Sequence, residues 1–221
     1  MKLSVKRSSF YLGGIPTYTR RTGFPNADPR LAGLLLNHRV INGIFDDLAG
    51  DPSVWAYSDT GEWDPERNVK KFVMAMEYWR EHGVIAFTVG LQGGNPHVYR
   101  HLAPEGFSRE QVDSGAFEPD GSLRPAFMAR LGRILDRAVE LDMVPIVNYF
   151  YQGGNRRIAE DALETAVDNA TNWLLDAGYD GLIIDLANEC DIERYWPALQ
   201  LPNIHELIYR VKDTVDLHSN R

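Results

Sequence analysis

Cysteine is almost missing from this 221-residue chain, where Cys190 stands alone. A single thiol excludes an internal disulfide and the paired spacing of a structural zinc site, and it leaves the redox compartment open. Positive charge is also scarce: 23 Lys and Arg face 31 Asp and Glu, for a net charge of −8. The acidic residues are scattered, and no basic stripe exists for a phosphate backbone or an anionic lipid surface, which argues against nucleic acid and membrane as partners. Long apolar runs are lacking as well. The opening Met1-Lys2-Leu3-Ser4-Val5-Lys6-Arg7 has no signal-peptide h-region, and no stretch approaches a membrane span, so the chain reads as soluble with its compartment unknown. What is present is ordinary globular composition, 44% hydrophobic and 24% charged, enough to bury a sizeable core.

Residues 1–39 read as a small N-terminal unit. Phe10-Tyr11-Leu12-Gly13-Gly14-Ile15-Pro16-Thr17-Tyr18 has two apolar arms around a Gly-Gly turn, the pattern of a hairpin, here expected to cap the main domain. Residues 40–221 then alternate strand and helix. Strands are expected at 40–45, 84–91, 143–150 and 181–187. The first helix opens at Asp64-Pro65-Glu66, an N-cap followed by proline, and carries Val69, Phe72, Val73, Met76 and Trp79 at helical spacing before Gly83. Two further helices bear the stripes Phe127, Leu131, Ile134, Leu135, Ala138, Leu141 and Leu163, Ala166, Val167, Ala170, Leu174, the latter stopped by Gly178. A last helix starts at Asn203 with Glu206 three residues on, a capping-box variant, and is expected to bury Ile204, Leu207, Ile208, Val211 and Val215.

Four such units imply an α/β fold with a parallel sheet and right-handed crossovers. The fingerprint G-x-G-x-x-G is absent after the first strand, which disfavours a nucleotide-binding doubly wound sheet. The remaining choice is a parallel (β/α) barrel type with four βα units, half of an eight-unit barrel, preceded by the hairpin. Such a half leaves two open sheet edges, from which self-association is expected.

In a parallel barrel the chemistry sits at the C-terminal strand ends. Those positions hold Asp46 and Asp47, then Gln92, then Asn148, Tyr149 and Tyr151, then Asn188 and Glu189. This wall of neutral hydrogen-bonding groups with a few carboxylates suits hydroxyl-rich ligands better than anions. Trp55, Tyr57, Trp63 and Trp196 in the loops offer flat faces of the kind that stack on sugar rings.

The run Ile183-Ile184-Asp185-Leu186-Ala187-Asn188-Glu189 resembles the fourth-strand signature of retaining glycoside hydrolases built on TIM barrels, the cellulase- and mannanase-like clan. The resemblance implies that Glu189 is the general acid/base, that Asn188 holds a sugar 2-hydroxyl, and that the ligand is a carbohydrate, with no cofactor. Asn148, Gln92, Trp55, Trp63, Tyr151 and Asp46 would line the substrate. A carboxyl at a half-apolar strand end has its pKa raised, as an acid/base needs, and Asp185, two pairs away by strand alternation, would act on it as a like charge. The nucleophile of that clan belongs to the seventh strand, about 5–5.5 Å from the acid; no seventh strand is present, so the chain alone is expected to be inactive. Cys190 replaces the apolar residue usual after the Glu, and no arginine is found at the end of the second strand.

Blander readings compete. Asn188-Glu189 also suits a helix N-cap and first turn, Trp79 and Trp173 suit the core, and Cys190 suits a small buried hydrophobe. Asp185, Glu189, Asp191 and Glu193 have no adjacent His, which speaks against a metal site, and His38, His97 and His101 lack paired spacing. The rival classes are a noncatalytic carbohydrate-binding or scaffold half-barrel, and a metal-dependent isomerase or lyase on the same scaffold.

Overall fold

A computed structural model describes residues 2–48, 55–93, 113–151, 157–191 and 195–219. The N-terminal strands β1 (Leu3–Lys6), β2 (Ser9–Leu12) and β3 (Ile15–Pro16) form an antiparallel sheet in that order. The Gly13-Gly14 hairpin is as expected, whereas β1 was not legible: Leu3-Ser4-Val5-Lys6 is too short and too exposed to show a burial period. The second sheet is parallel, with β4 (Asn37–Arg39), β5 (Ala86–Gly90), β6 (Val144–Phe150) and β7 (Ile183–Ala187) adjacent in sequence order. Between and after these strands run α1 (Pro65–Glu81), α2 (Pro125–Glu140), α3 (Leu163–Asp176) and α4 (Ile204–Ser219). Strand order never reverses, so the winding is that of a barrel rather than of a doubly wound sheet.

The helix signals work as physics requires. The Asp64 side chain accepts from the Glu66 and Arg67 amides at 2.9 Å each, with Pro65 at the first helical position. Gly83 and Gly178, at φ 86° and 81°, turn the chain out of α1 and α3. Phe72 meets Phe87 edge-on at 5.4 Å, and Val69, Met76, Leu131, Ile134, Val147, Ala166 and Leu174 complete one core between helices and sheet. Burying each large side chain contributes about 1.5–3 kcal/mol.

Three expectations need correction. The first strand is not 40–45 but Asn37–Arg39, and residues 41–44 form a turn. The apolar residues that suggested a strand are buried for another reason: Ile44 and Phe45 are 1% and 3% exposed and pack beneath the loop that follows. Asn68 on α1 holds this turn through the carbonyls of Asn42 and Gly43, at 2.9 and 3.2 Å. Ile208 is exposed, since the α4 surface that meets α3 is limited to Ile204, Leu207 and Val211. Asn203 turns its side chain to the Pro197 carbonyl, 3.0 Å away.

The N-terminal unit does cap the sheet. Leu12 and Tyr18 pack with Ile85, Ala86 and Val144, all at the N-terminal ends of β5 and β6. The Tyr18 hydroxyl donates to the Gly83 carbonyl at 2.7 Å and accepts from the Leu36 amide at 3.2 Å. This closes one end of the sheet and leaves the opposite, C-terminal end for loops.

Candidate functional site

Parallel register sets side chains in rows on the face away from the helices. One row is Arg39, Thr88, Ile146, Ile183; the next toward the C-terminal ends is Gly90, Asn148, Asp185. Asn148 is fully buried and donates to the Asp185 carboxylate at 2.9 Å. Asn188, just past β7, is 8% exposed; its main-chain N–H donates to the Phe150 carbonyl at 3.2 Å, and its side-chain oxygen accepts from Arg39 Nη2. Arg39 also stands over the Tyr151 ring, 6.0 Å from its centroid. Tyr151 donates its N–H to Gln92 Oε1 at 3.1 Å, so Gln92 ties the ends of β5 and β6 together.

Partner chemistry fixes both amide orientations. Guanidinium only donates, so the Asn188 atom facing it is oxygen; a carboxylate only accepts, so the Asn148 atom facing Asp185 is nitrogen. That leaves Asn188 Nδ2 and Asn148 Oδ1 buried without a hydrogen-bond partner among the described residues. Buried unpaired polar atoms are uncommon and cost about 1–3 kcal/mol each.

Glu189 follows in a turn at φ 53°, a left-handed conformation that costs a non-glycine residue on the order of 1 kcal/mol. This backbone ends the strand alternation that the sequence suggested would continue from Asp185 to Glu189. The residue is exposed. The turn is braced by Tyr195, a 1%-exposed side chain whose hydroxyl donates to the Asn188 carbonyl and lies 3.4 Å from that of Phe150. Burial pushes the Tyr195 phenol well above its ordinary range, with the nearby carboxylates of Glu189 and Asp185 adding to the effect.

The remaining sequence candidates gather separately, on the loop after β4. Trp63 Nε1 donates to Asp46 at 3.2 Å, and Trp55 Nε1 donates to Asp47 at 3.1 Å. Both indoles meet Phe45 edge-on, at 5.4 and 4.7 Å, and both are half-buried. Asp46 lies 3.6 Å from Arg130, a 3%-exposed arginine of α2 that also donates to the Ile44 carbonyl at 3.1 Å. Asp47 accepts the Asp113 amide at 3.1 Å, and Asp113 pairs with Arg124, so the first and second strand-end loops are pinned to each other. Tyr57 stacks on Trp63 at 5.6 Å, and Trp196 donates to the Ile158 carbonyl at 3.0 Å.

Two groups therefore emerge: Asn148, Tyr151, Gln92 and Asn188 beside Glu189, and Asp46, Trp55 and Trp63 in a loop cluster. Arg39 and Tyr195 were missed. Asn37-His38-Arg39 has no apolar alternation to mark it as a strand, and Tyr195 carries no signal beyond being an aromatic in a loop. Trp79 on α1 and Trp173 on α3 are half-buried against the core, with His38 stacked on Trp79 at 4.8 Å. His97, His101 and Glu193 lie outside the described residues. Among the described residues no three of His, Cys, Asp and Glu converge as metal ligands would, and no helix is long and apolar enough to cross a membrane.

No protein-family profile and no curated protein matches the sequence. Among solved structures it is similar to PbGH5A, a glycoside hydrolase family 5 enzyme from Prevotella bryantii B14, at 12% identity and a TM-score of 0.47, over 81% of this chain and 50% of that one. It is also similar to the beta-glucosidase from Thermotoga maritima in complex with castanospermine, at 12% identity and a TM-score of 0.43, over 83% of this chain and 46% of that one. The chain thus spans about half the length of these structures.

Proposed function

We propose that this chain is the carbohydrate-recognising first half of a glycoside-hydrolase-like barrel, with Glu189 as general acid/base and Asn188 as the residue that orients the sugar. The observation that carries the reading is the Asn188-Glu189 pair: a buried amide fixed by Arg39 with its Nδ2 unspent among the described residues, followed by an exposed carboxylate on strained backbone. Strain and unpaired buried groups accumulate where ligands bind. Asn148, Tyr151 and Gln92 extend the same surface. Asp46, Trp55 and Trp63 act one step removed, by holding the first loop in shape. The carboxylate that faces the acid comes from polypeptide outside these residues.

The reading is tested in two steps. The 221-residue chain, titrated with oligosaccharides, binds at least one of them, and Asn188→Ala weakens that binding about tenfold or more. Failure of every sugar to bind removes the reading. The chain alone shows no turnover of aryl glycosides. Joined to a complementary half carrying a facing carboxylate, it turns over, and Glu189→Gln then slows unactivated glycosides far more than activated aryl ones. Equal rates for both substrate types would return the pair to a structural cap.

A further inference from the structure

β4 and β7 are the two ends of the parallel sheet, and among the described residues each has one side unpaired. Val40 donates to the Thr88 carbonyl and Leu36 accepts from the Ala86 amide, so alternation turns the main-chain N–H and C=O of Asn37 and Arg39 outward. Asn188 donates to the Phe150 carbonyl, which by the same rule turns Ile183, Asp185 and Ala187 outward on β7. The helices at the two ends have matching uncovered flanks. On α1, Glu66 and Glu77 reach Arg133 and Arg137 of α2, while the side turned away carries Lys71, Ala75 and the exposed Tyr78. On α4, Arg210 and His218 reach Asp168 and Asp176 of α3, while the opposite side carries the exposed Ile208 and the half-buried Val215. The two ends differ in charge. Between Asp28 and Asp46 the chain has Arg30 and Arg39 and no acidic residue, whereas residues 158–191 contain no Lys, Arg or His and put Asp180, Asp185 and Glu189 on or beside β7.

We propose that a second copy of this chain fills both open sides, β7 and α4 of each copy lying against β4 and α1 of the other about a two-fold axis parallel to the strands. All eight strands then run in one direction, both edges are paired at once, and an acidic flank meets a basic one twice. Pairing like with like fails on each count: it sets two strands antiparallel, brings equal charges together and leaves the other edge open. Eight strands also make a barrel whose interior side chains can fill. The sheet is already rolled in the sense closure needs, since Arg39 on β4 reaches Asn188 beyond β7. The proposal concerns assembly and stands apart from the carbohydrate reading.

Analytical ultracentrifugation of the 221-residue chain over a concentration series is the test. At about 100 μM a species of twice the 25.0 kDa chain mass is expected, with nothing larger. Its dissociation constant rises about fivefold or more on going from low salt to about 1 M, as the facing charges are screened. Asn37→Pro removes an outward amide at an exposed position and leaves the ladder to β5 intact. Ile208→Glu puts a charge into the helix contact from a site that is exposed in the single chain. Each substitution weakens the dimer about tenfold or more while circular dichroism stays unchanged. A monomer at every concentration, or a series of species that does not stop at two, overturns the proposal. So does a dimer that ignores salt, or one that withstands either substitution, since that dimer does not join β7 and α4 of one copy to β4 and α1 of the other.

Discussion

Arg39 and Asn188 are joined by a hydrogen bond across the width of the parallel sheet, from the first strand to the turn after the last. In a flat sheet the outer two of four strands lie about 14 Å apart, and Asn188 is five residues beyond Ile183, the residue in register with Arg39, about 16 Å further along. Two side chains standing upright on flat strands would not meet. Their contact requires a sheet rolled toward its inner face, the curvature that closes barrels.

Tyr195→Phe removes the hydroxyl that braces the Asn188 turn while keeping the ring. The expected cost is about 1–2 kcal/mol, because the Asn188 carbonyl is left without this donor. Urea denaturation measures it, with an unchanged slope showing that the folded state stays intact.

Asp46→Ala is expected to lower stability by about 2 kcal/mol, since it strips Trp63 of its acceptor and leaves buried Arg130 short of a counter-charge. The tryptophan emission should shift to the red as the loop loosens. A variant with unaltered emission and stability would show that Asp46 does not hold this loop.

Gly121 sits at φ 81°, where an added Cβ would lie 2.7 Å from the Ala162 carbonyl oxygen and 2.8 Å from the Ala166 nitrogen. Gly121→Ala combines a disfavoured backbone with a clash against backbone atoms, so a loss of about 2 kcal/mol or more is expected in thermal or denaturant unfolding.

Alkaline pH should destabilise the protein through its buried phenols. Burial raises Tyr149 and Tyr195 above the ordinary value near 10, so the unfolded chain loses these protons at a pH where the folded one keeps them. The unfolded state then binds fewer protons, and stability, fully present below about pH 10, falls as pH climbs above it. Absorbance titration near 295 nm should show at least two phenols that ionise only as the protein unfolds; free titration of all ten tyrosines would contradict the burial.

The sequence by itself determined the α/β alternation, three of the four parallel strands to within a few residues, the start of the first helix at Asp64-Pro65 and the glycine stops of the first and third. These follow from local chemistry: Asp64 and Pro65 begin a helix wherever they occur together before an apolar stripe, and buried strands such as Val144–Phe150 announce themselves by continuous apolar character. It also marked Asn188 and Glu189 as a pair at a strand end. Tertiary structure decided the rest. β4 is a polar, exposed edge strand, so its identity depends on pairing with β5 rather than on its own residues, while the apolar run after it is buried by the loop tryptophans above it. Arg39 enters the site only because the sheet curls, and Tyr195 only because its loop folds back beneath the Asn188 turn. Both contacts join residues that no local period relates, and the energy that fixes them comes from burial and pairing across the fold.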